Sequence, residues 1–166
     1  MPANTNIYTG ADGAITLSVP QGVEGDTAQG VLTAYDLITV GRVQSVRVEV
    51  RSDVKVFNEL GGRYPTQLRP GNVTITGTIG RAFINGALLK LLLGDAATSR
   101  PAQSWTQPAF NITLLVENAA MPGVRSTVTL HDVKIHSWVY DVPEDDVVME
   151  SADFTALFID TADEPA

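Results

Sequence analysis

The sequence predicts a mostly β protein: a two-sheet β-sandwich or barrel with extended hairpins and one short flanking α-helix at about residues 85–93. Three observations predict this fold class. Valine and threonine are abundant, whereas lysine occurs only at Lys55, Lys90 and Lys134, and β-branched residues favour strands. Several segments alternate apolar and polar residues with the period of two that is typical of strands. One leucine-rich segment instead has helical spacing between two capping residues.

Length and charge limit the kinds of protein that this sequence can encode. With 166 residues, the chain can bury one hydrophobic core. We therefore expect a single domain over residues 1–166, with an N-terminal arm at 1–13 and a frayed acidic tail at 161–166. The formal net charge of −8 argues against a protein that grips phosphate backbones, because such binding needs a basic surface.

Cysteine content and apolar runs narrow the class further. The chain contains no cysteine, which excludes a disulfide framework, a thiolate metal site and a cysteine nucleophile. Its first residues lack the basic and apolar regions of a signal peptide. The longest apolar run, residues 87–93, is too short to span a bilayer. We expect a soluble protein that is not inserted into a membrane.

The first elements precede a long hairpin. Ala14 to Val19 alternates apolar and polar residues and predicts the first strand. Pro20 to Gly30 is rich in glycine and acidic residues, which is typical of a loop. Val31 to Val40 is apolar without a clear period, and we predict an extended segment.

The long strand from Val46 to Phe57 is the most informative element. Its valines occupy one face and its charged residues the other: Val46, Val48, Val50, Val54 and Val56 against Arg47, Glu49, Arg51, Asp53 and Lys55. Twelve residues span about 40 Å, which exceeds what one small core can cover. We therefore expect the valine face to pack across a subunit boundary as a ring interface.

The connection over residues 58–72 is predicted to be a long loop with Gly-Gly and Pro-Gly hinges. Loops of this length usually bind something, and Arg63, Tyr64 and Arg69 are residue types enriched at interfaces. The chain then returns in a strand, Val73 to Arg81, which has apolar residues opposite Thr74, Thr76 and Thr78.

The second half of the chain predicts further strands. Phe110 to Glu117 and Thr127 to Tyr140 are expected to form a hairpin that turns at Met121-Pro-Gly. Pro143 to Asp146 is predicted to be an acidic turn, and Met149 to Ile159 the last strand.

The predicted helix has two apolar sides. Asn85 is a suitable N-cap and Gly94 a suitable C-terminal residue. One stripe faces the sheet: Ala87, Leu88, Leu91 and Leu92. Leu89 and Leu93 fall on nearly the opposite side. Either a neighbouring subunit or the loop 99–108 of the same chain covers these two leucines, and the sequence favours neither.

These segments resemble the tail tube proteins of tailed phages and of phage-like contractile injection systems, over roughly residues 41–159. The resemblance rests on the order of the elements: the long alternating strand, the loop Glu59-Leu-Gly-Gly-Arg-Tyr-Pro-Thr-Gln-Leu-Arg-Pro-Gly, the strand Val73-Thr-Ile-Thr-Gly-Thr-Ile, the leucine helix and the closing strand. It implies hexameric rings in which each subunit adds two hairpins to a closed inner β-barrel. Rings stack into a tube, the long loop reaches an adjacent ring, and DNA or cargo passes through the lumen without tight binding.

The resemblance also implies partners and a location. The chain would assemble with itself, and with sheath, tape measure, baseplate and tail terminator proteins, into a virion tail built in the host cytoplasm. The polar strand faces would line the lumen: Glu49, Asp53, Glu117, Thr74, Thr76 and Thr78. Because a passage for DNA must not trap phosphates, we expect the charges there to be paired, with a slight acidic excess.

Other readings of the sequence are less specific. His131 and His136 flank Asp132, but residues five apart in a straight strand point to opposite faces, which disfavours a metal site. The acidic turn lacks the spacing of a calcium loop. No catalytic motif is present, so we predict neither an enzyme nor a cofactor. The alternative function is a monomeric β-sandwich module that binds carbohydrate or protein through an aromatic site at Trp105 or Trp138.

Overall fold

Seven strands and two helices organise the computed structural model, which describes residues 7–37 and 40–164. The strands are β1 (Gly13–Ser18), β2 (Val43–Phe57), β3 (Gln67–Ala82), β4 (Phe110–Glu117), β5 (Arg125–Asp141), β6 (Met149–Ala156) and β7 (Phe158–Glu164); the helices are α1 (Val23–Tyr35) and α2 (Ala87–Leu93). Short 3₁₀ turns at Gly10–Asp12 and Gly94–Ala97 precede β1 and follow α2. The mostly β class is confirmed.

The strands form one curled antiparallel sheet in the order β1-β4-β5-β6-β3-β2, with β7 also paired to β5. β5 joins two halves of this sheet. Its first half pairs with β4 and β7, and its second half pairs with β6. Between them the backbone of Asp132 has a positive φ of 52°, and the Asp132 N–H donates to Asn111 Oδ1 at 3.1 Å. The predicted two-sheet arrangement is thus one sheet that bends at β5.

The second half contains four strands, contributed by the β2–β3 and β5–β6 hairpins. β3 and β6 pair along Ile75–Ala82 and Met149–Ala156. In the described chain, β2 and the second half of β5 each have a strand on one side only. These two strands are the free edges of this half.

Helix α1 corrects the prediction for residues 20–40. The expected loop and extended segment are instead a helix from Val23 to Tyr35; Ile38 and Thr39 lie outside the described residues. Ala28 and Leu32, one helical turn apart, are fully buried in the core. Gly25 lets the first turn approach Pro20, because a Cβ there would lie 1.9 Å from the Pro20 carbonyl oxygen.

Helix α2 confirms the predicted helix. The N-cap is Gly86 and not the predicted Asn85, although Asn85 Oδ1 accepts a hydrogen bond from the Ala87 N–H at 3.1 Å. The helix ends at Gly94, which has a positive φ of 57°. Ala87, Leu88 and Leu91 are buried, and neither described helix is long and apolar enough to cross a membrane.

The long hairpin extends further than predicted. The return strand begins at Gln67, so the connecting loop covers only residues 58–66, and Arg69 lies in β3 opposite Lys55. Pro70-Gly71, the predicted hinge, belongs to a β-bulge where the register shifts between Ser52 and Val54. Gly71 is required there, because a Cβ would lie 2.4 Å from the Asp53 carbonyl oxygen.

The C-terminal segment also differs from the prediction. The last strand is interrupted at Leu157, whose N–H donates to the His131 carbonyl at 3.1 Å, and it continues as β7 along the first half of β5. Residues 161–164, predicted to fray, belong to β7. They are held by an ion pair between Arg125 and Glu164 at 2.8 Å.

Candidate functional site

The valine face of β2 runs past the hydrophobic core of its own protomer. Val46 and Val48 pack against the core. Further along the strand, however, Val50, Val54 and Val56 are 50%, 51% and 54% exposed. On the same face of β3, Ile75 opposite Val50 is still buried, whereas Val73 and Leu68, further along the hairpin, are exposed. We call this set the apolar stripe: Val50, Val54, Val56, Leu68 and Val73.

The apolar stripe is large enough to drive association. Covering the exposed half of one such side chain stabilises a contact by about 1 kcal/mol, so the five together contribute several kcal/mol per subunit. Contiguous apolar patches of this kind mark interaction surfaces in soluble proteins. The stripe lies on a two-stranded arm that no other described segment covers, because residues 50–70 are exposed on both strands.

The opposite face of the hairpin carries paired charges. Glu49 binds two arginines, with N–O distances of 2.8 Å to Arg51 and 3.7 Å to Arg47. Lys55 Nζ lies 2.6 Å from Asp53 Oδ2. The predicted threonines lie directly across the ladder on the same face: Thr74 opposite Arg51, Thr76 opposite Glu49 and Thr78 opposite Arg47.

The expected acidic excess on this face is wrong for the hairpin. Because Arg69 lies opposite Lys55, the face holds four cations and two carboxylates: Arg47, Arg51, Lys55 and Arg69 with Glu49 and Asp53. The neighbouring β6 adds Asp153, whose Oδ1 accepts a hydrogen bond from Thr78 Oγ1 at 2.7 Å. A shallow cleft of about 330 Å³ opens here beside Arg47 and His136.

Glu117 lies in another part of the sheet. It ends β4 opposite Arg125, in the half that does not contain the long hairpin. Hydrogen bonding to Glu164 and the charge of that carboxylate raise the pKa of Arg125. The role of Glu117 in a lumen stays a prediction.

Comparison with known proteins identifies the fold. No protein-family model and no curated protein matches the sequence. Among solved structures, the chain is similar to a chain of the PVC extracellular contractile injection system, in its extended sheath-tube complex, with a TM-score of 0.64, 11% identity and coverage of 96% of this chain and 93% of that one.

Two further structures agree. The tube-terminating cap of the anti-feeding prophage matches with a TM-score of 0.64 and 11% identity, over 98% of this chain and 95% of that chain. The SPP1 tail tube matches with a TM-score of 0.55 and 14% identity, over 95% of this chain and 80% of that chain. This chain has the tail tube fold. At these identities the likeness concerns the fold alone.

The remaining predicted surface residues of this tail tube fold are accessible in the protomer. Arg63 and Tyr64 lie in the loop at the hairpin tip, and the side chain of Tyr64 is 82% exposed. Leu89 and Leu93 on α2 are half-buried. Neither the loop 99–108 nor any other part of residues 7–37 and 40–164 covers these two leucines fully, and their place in a ring interface stays a prediction.

A buried ion pair at the base of the hairpin is a feature that the sequence reading missed. Arg81 Nε donates to Glu150 Oε1, and both side chains are almost completely inaccessible to solvent. Trp138 Nε1 donates to the second carboxylate oxygen of Glu150 at 2.9 Å, and Arg81 Nη2 lies 3.3 Å from Asn85 Oδ1. The pair therefore connects β3, β5 and β6 to the start of α2. One feature of the sequence could have indicated this pair. Arg81 has the same alternation as Ile75 and Ile79, so it lies on the face of β3 that points into the core.

The histidines do not form a common site. His131 lies 2.9 Å from Asp160 on β7, whereas His136 is exposed beside the charged face. Within residues 7–37 and 40–164, no three histidine or acidic side chains are grouped as metal ligands would be. Trp138, a candidate for an aromatic ligand site, stacks on Tyr140 with ring centroids 5.4 Å apart.

Proposed function

We propose that this chain is the structural subunit of a phage or phage-like tail tube. Stacked rings, of six subunits each by the resemblance, would enclose a lumen that conducts DNA or other cargo. The observation that carries the proposal is the apolar stripe: a tail tube fold projects a hairpin whose apolar face has no core of its own. Burial between subunits supplies the missing contact.

Ring closure is supported by the two free edges. An exposed strand edge presents unpaired N–H and C=O groups, and a closed barrel removes them. In the proposed ring, the β2 edge of one subunit lies beside the second half of β5 in its neighbour, and the apolar stripe and Leu89 and Leu93 are covered. The loop residues Arg63 and Tyr64, with Arg69, then contact the adjacent ring.

The charged face is the proposed lumen wall. Glu49 and Asp53 hold neighbouring cations within their own strand, and Thr74, Thr76 and Thr78 contribute uncharged lining. Although cations outnumber carboxylates on the hairpin, Arg47, Arg51 and Lys55 each lie beside a carboxylate, and this pairing lowers the attraction for phosphates, so that DNA can pass without tight binding. The chain has no enzymatic role in this proposal. Its partners are further copies and sheath, baseplate, terminator and tape measure proteins, in a tail assembled in the host cytoplasm.

A pair of substitutions tests the proposal. Val50→Asp places a charge within the apolar stripe, where burial between subunits would leave the charge unpaired. Because Val50 is half exposed in the protomer, the isolated chain should still fold. Thr74→Asp is the matched control, since it adds the same charge one ladder position away, on the opposite face beside Arg51.

Negative-stain electron microscopy and sedimentation give the readout. Wild-type protein and Thr74→Asp should form rings and tubes, and Val50→Asp should remain a folded monomer. A wild-type protein that stays monomeric at high concentration would contradict the tube and favour the binding module. If Val50→Asp forms rings as abundantly as wild type, the apolar stripe does not lie in the subunit interface.

A further inference from the structure

We propose that rings stack by docking the basic tip of the long hairpin onto an acidic turn at the opposite end of the sheet in a second copy. The basic tip is Lys55, Leu60, Arg63, Tyr64 and Arg69. The acidic turn is Asp141, Val142, Glu144, Asp145, Asp146 and Val147. This inference rests on the proposed tube, and it identifies the surface that receives the hairpin.

The charge of the chain is divided between two regions. Residues 42–81 hold seven of the 11 Lys and Arg residues and three of the 19 Asp and Glu residues, a net charge of +4. The rest of the chain holds the other four cations and 16 acids and carries −12. The overall charge of −8 is therefore the sum of a basic hairpin and an acidic remainder of the chain.

The sheet places the two charged sites at opposite ends. β3 leaves the tip at Gln67 and ends at Ala82, which lies opposite Met149 at the start of β6. The acidic turn connects β5 to β6 just before Met149. The 16 residues of β3 separate the sites by about 50 Å. A site at each end, with opposite charges, suits head-to-tail stacking, whereas tip-to-tip contact would bring like charges together.

Lys55 is paired with Asp53, but the other charged groups that the docking uses form no ion pair within the described part of the protomer. In the part of the chain that the structure describes, Arg63 and Arg69 form no ion pair, and neither do Glu144 and Asp145. Arg69 lies across from Lys55, a like-charge neighbour that favours an external anion. The Asp146 carboxylate accepts a hydrogen bond from the Val147 N–H at 2.7 Å.

Apolar groups accompany the charges at each end. Leu60 and Tyr64 are 107% and 82% exposed at the tip, and Val142 and Val147 are 60% and 58% exposed beside the acidic turn. Tyrosine and arginine together are the residue types that dominate interface energetics. The acidic turn therefore complements the tip, because its charges are opposite in sign and both sites also expose apolar side chains. A second copy of this chain is therefore the partner that fits.

Charge reversal and its rescue test the docking. Arg63→Glu with Arg69→Glu should leave rings intact but reduce the number of long tubes by at least about tenfold, because like charges across an interface are strongly unfavourable. Glu144→Arg with Asp145→Arg should have the same effect. A mixture of the two double variants should form tubes of alternating rings. Arg100→Glu is the control, since Arg100 is equally exposed but lies outside the tip, and its tubes should resemble those of wild type.

The outcomes separate this inference from the proposed function. If every variant forms rings and tubes of unchanged length, the docking is wrong, but the proposed role as a tube subunit still holds. If the wild-type protein forms no rings, the proposed function itself is wrong. Failure of the mixture to restore tubes would show that the two sites are not partners. If reversal at the tip lowers retention of duplex DNA at low salt but leaves tube length unchanged, the tip binds nucleic acid and the docking is wrong.

Discussion

The two halves of the long hairpin share one sequence pattern but differ in environment. Near the base, Val46 and Ile79 contact the core, and the Arg81–Glu150 pair is buried behind them. In the outer half, Val54 and Leu68 continue the alternation and are more than half exposed. The base therefore stabilises the protomer, while the outer half carries an equally apolar face that another copy covers in the proposed tube. The proposed assembly thus follows from the length of the alternating strand compared with the extent of the core beneath it.

The buried ion pair at the base should give the largest loss of stability. Arg81→Ala leaves Glu150 buried without its cation, which costs about 3–5 kcal/mol. Urea unfolding at a fixed protein concentration should show this as a large fall in the midpoint. Lys55→Ala, which breaks an exposed pair in the outer half, should cost at most about 1 kcal/mol. If both variants lose the same free energy of unfolding, the base and the outer half of the hairpin contribute equally to the stability of the protomer, which would contradict this comparison.

Apolar truncations compare the two halves directly. Ile79→Ala, at a site that is 1% exposed, should destabilise the protomer by about 2–5 kcal/mol. Val54→Ala should leave the free energy of unfolding of the monomer within about 0.5 kcal/mol of wild type and instead raise the concentration at which rings form. Analytical ultracentrifugation measures the second effect. A destabilised monomer with unchanged ring formation would place Val54 in the protomer core.

The bulge sets the path of the outer half. Gly71→Ala forces a Cβ towards the Asp53 carbonyl oxygen, and relieving that clash costs about 1–3 kcal/mol. We expect the chain to fold but the outer hairpin to shift, so that tubes become short or rare in electron micrographs. Gly41→Ala is the control, because no heavy atom lies within 4 Å of a Cβ there. Tubes of normal length from Gly71→Ala would show that the bulge geometry is not needed for stacking.

The charged face should give the smallest effect on stability. Glu49→Lys with Asp53→Lys removes surface ion pairs that contribute at most about 1 kcal/mol each, so rings should still form. The same change leaves an unpaired basic wall, and tubes should then retain duplex DNA at low salt. Wild-type tubes that already retain DNA at physiological salt would contradict a non-adhesive lumen.

The sequence predicted most strands and the apolar face, because a period of two is visible wherever one face is buried and the other wet. It failed at α1, where Gly25 and Gly30 resemble loop residues although Gly25 is needed for the close approach to Pro20. It also placed Arg69 in a loop, because Pro70-Gly71 is as typical of a turn as of a bulge. Residues 161–164 were expected to fray because they are acidic and close to the end of the sequence. Their pairing with Arg125 depends on a strand that is distant in the sequence, and local composition does not show it.

The site was predictable in part. Local alternation assigned Glu49, Asp53 and the threonines to one face, and the ladder places Glu49 opposite Thr76; a lumen at this face stays a prediction. Glu117 was grouped with them from local alternation alone, but it lies in the other half of the sheet. Long-range strand pairing determines the half to which a strand belongs, and local alternation does not show that pairing. The partner of Arg81 was equally hidden, since Glu150 lies 69 residues away.

Thiol labelling tests the central claim most directly, because the chain contains no cysteine. A single Val54→Cys thiol should react readily with a maleimide in the Val50→Asp background, which is expected to stay monomeric. In assembled rings of the Val54→Cys protein the same thiol should be strongly protected, while Thr74→Cys on the charged face keeps reacting. Equal labelling of Val54→Cys in monomers and rings would contradict burial of the apolar stripe between subunits.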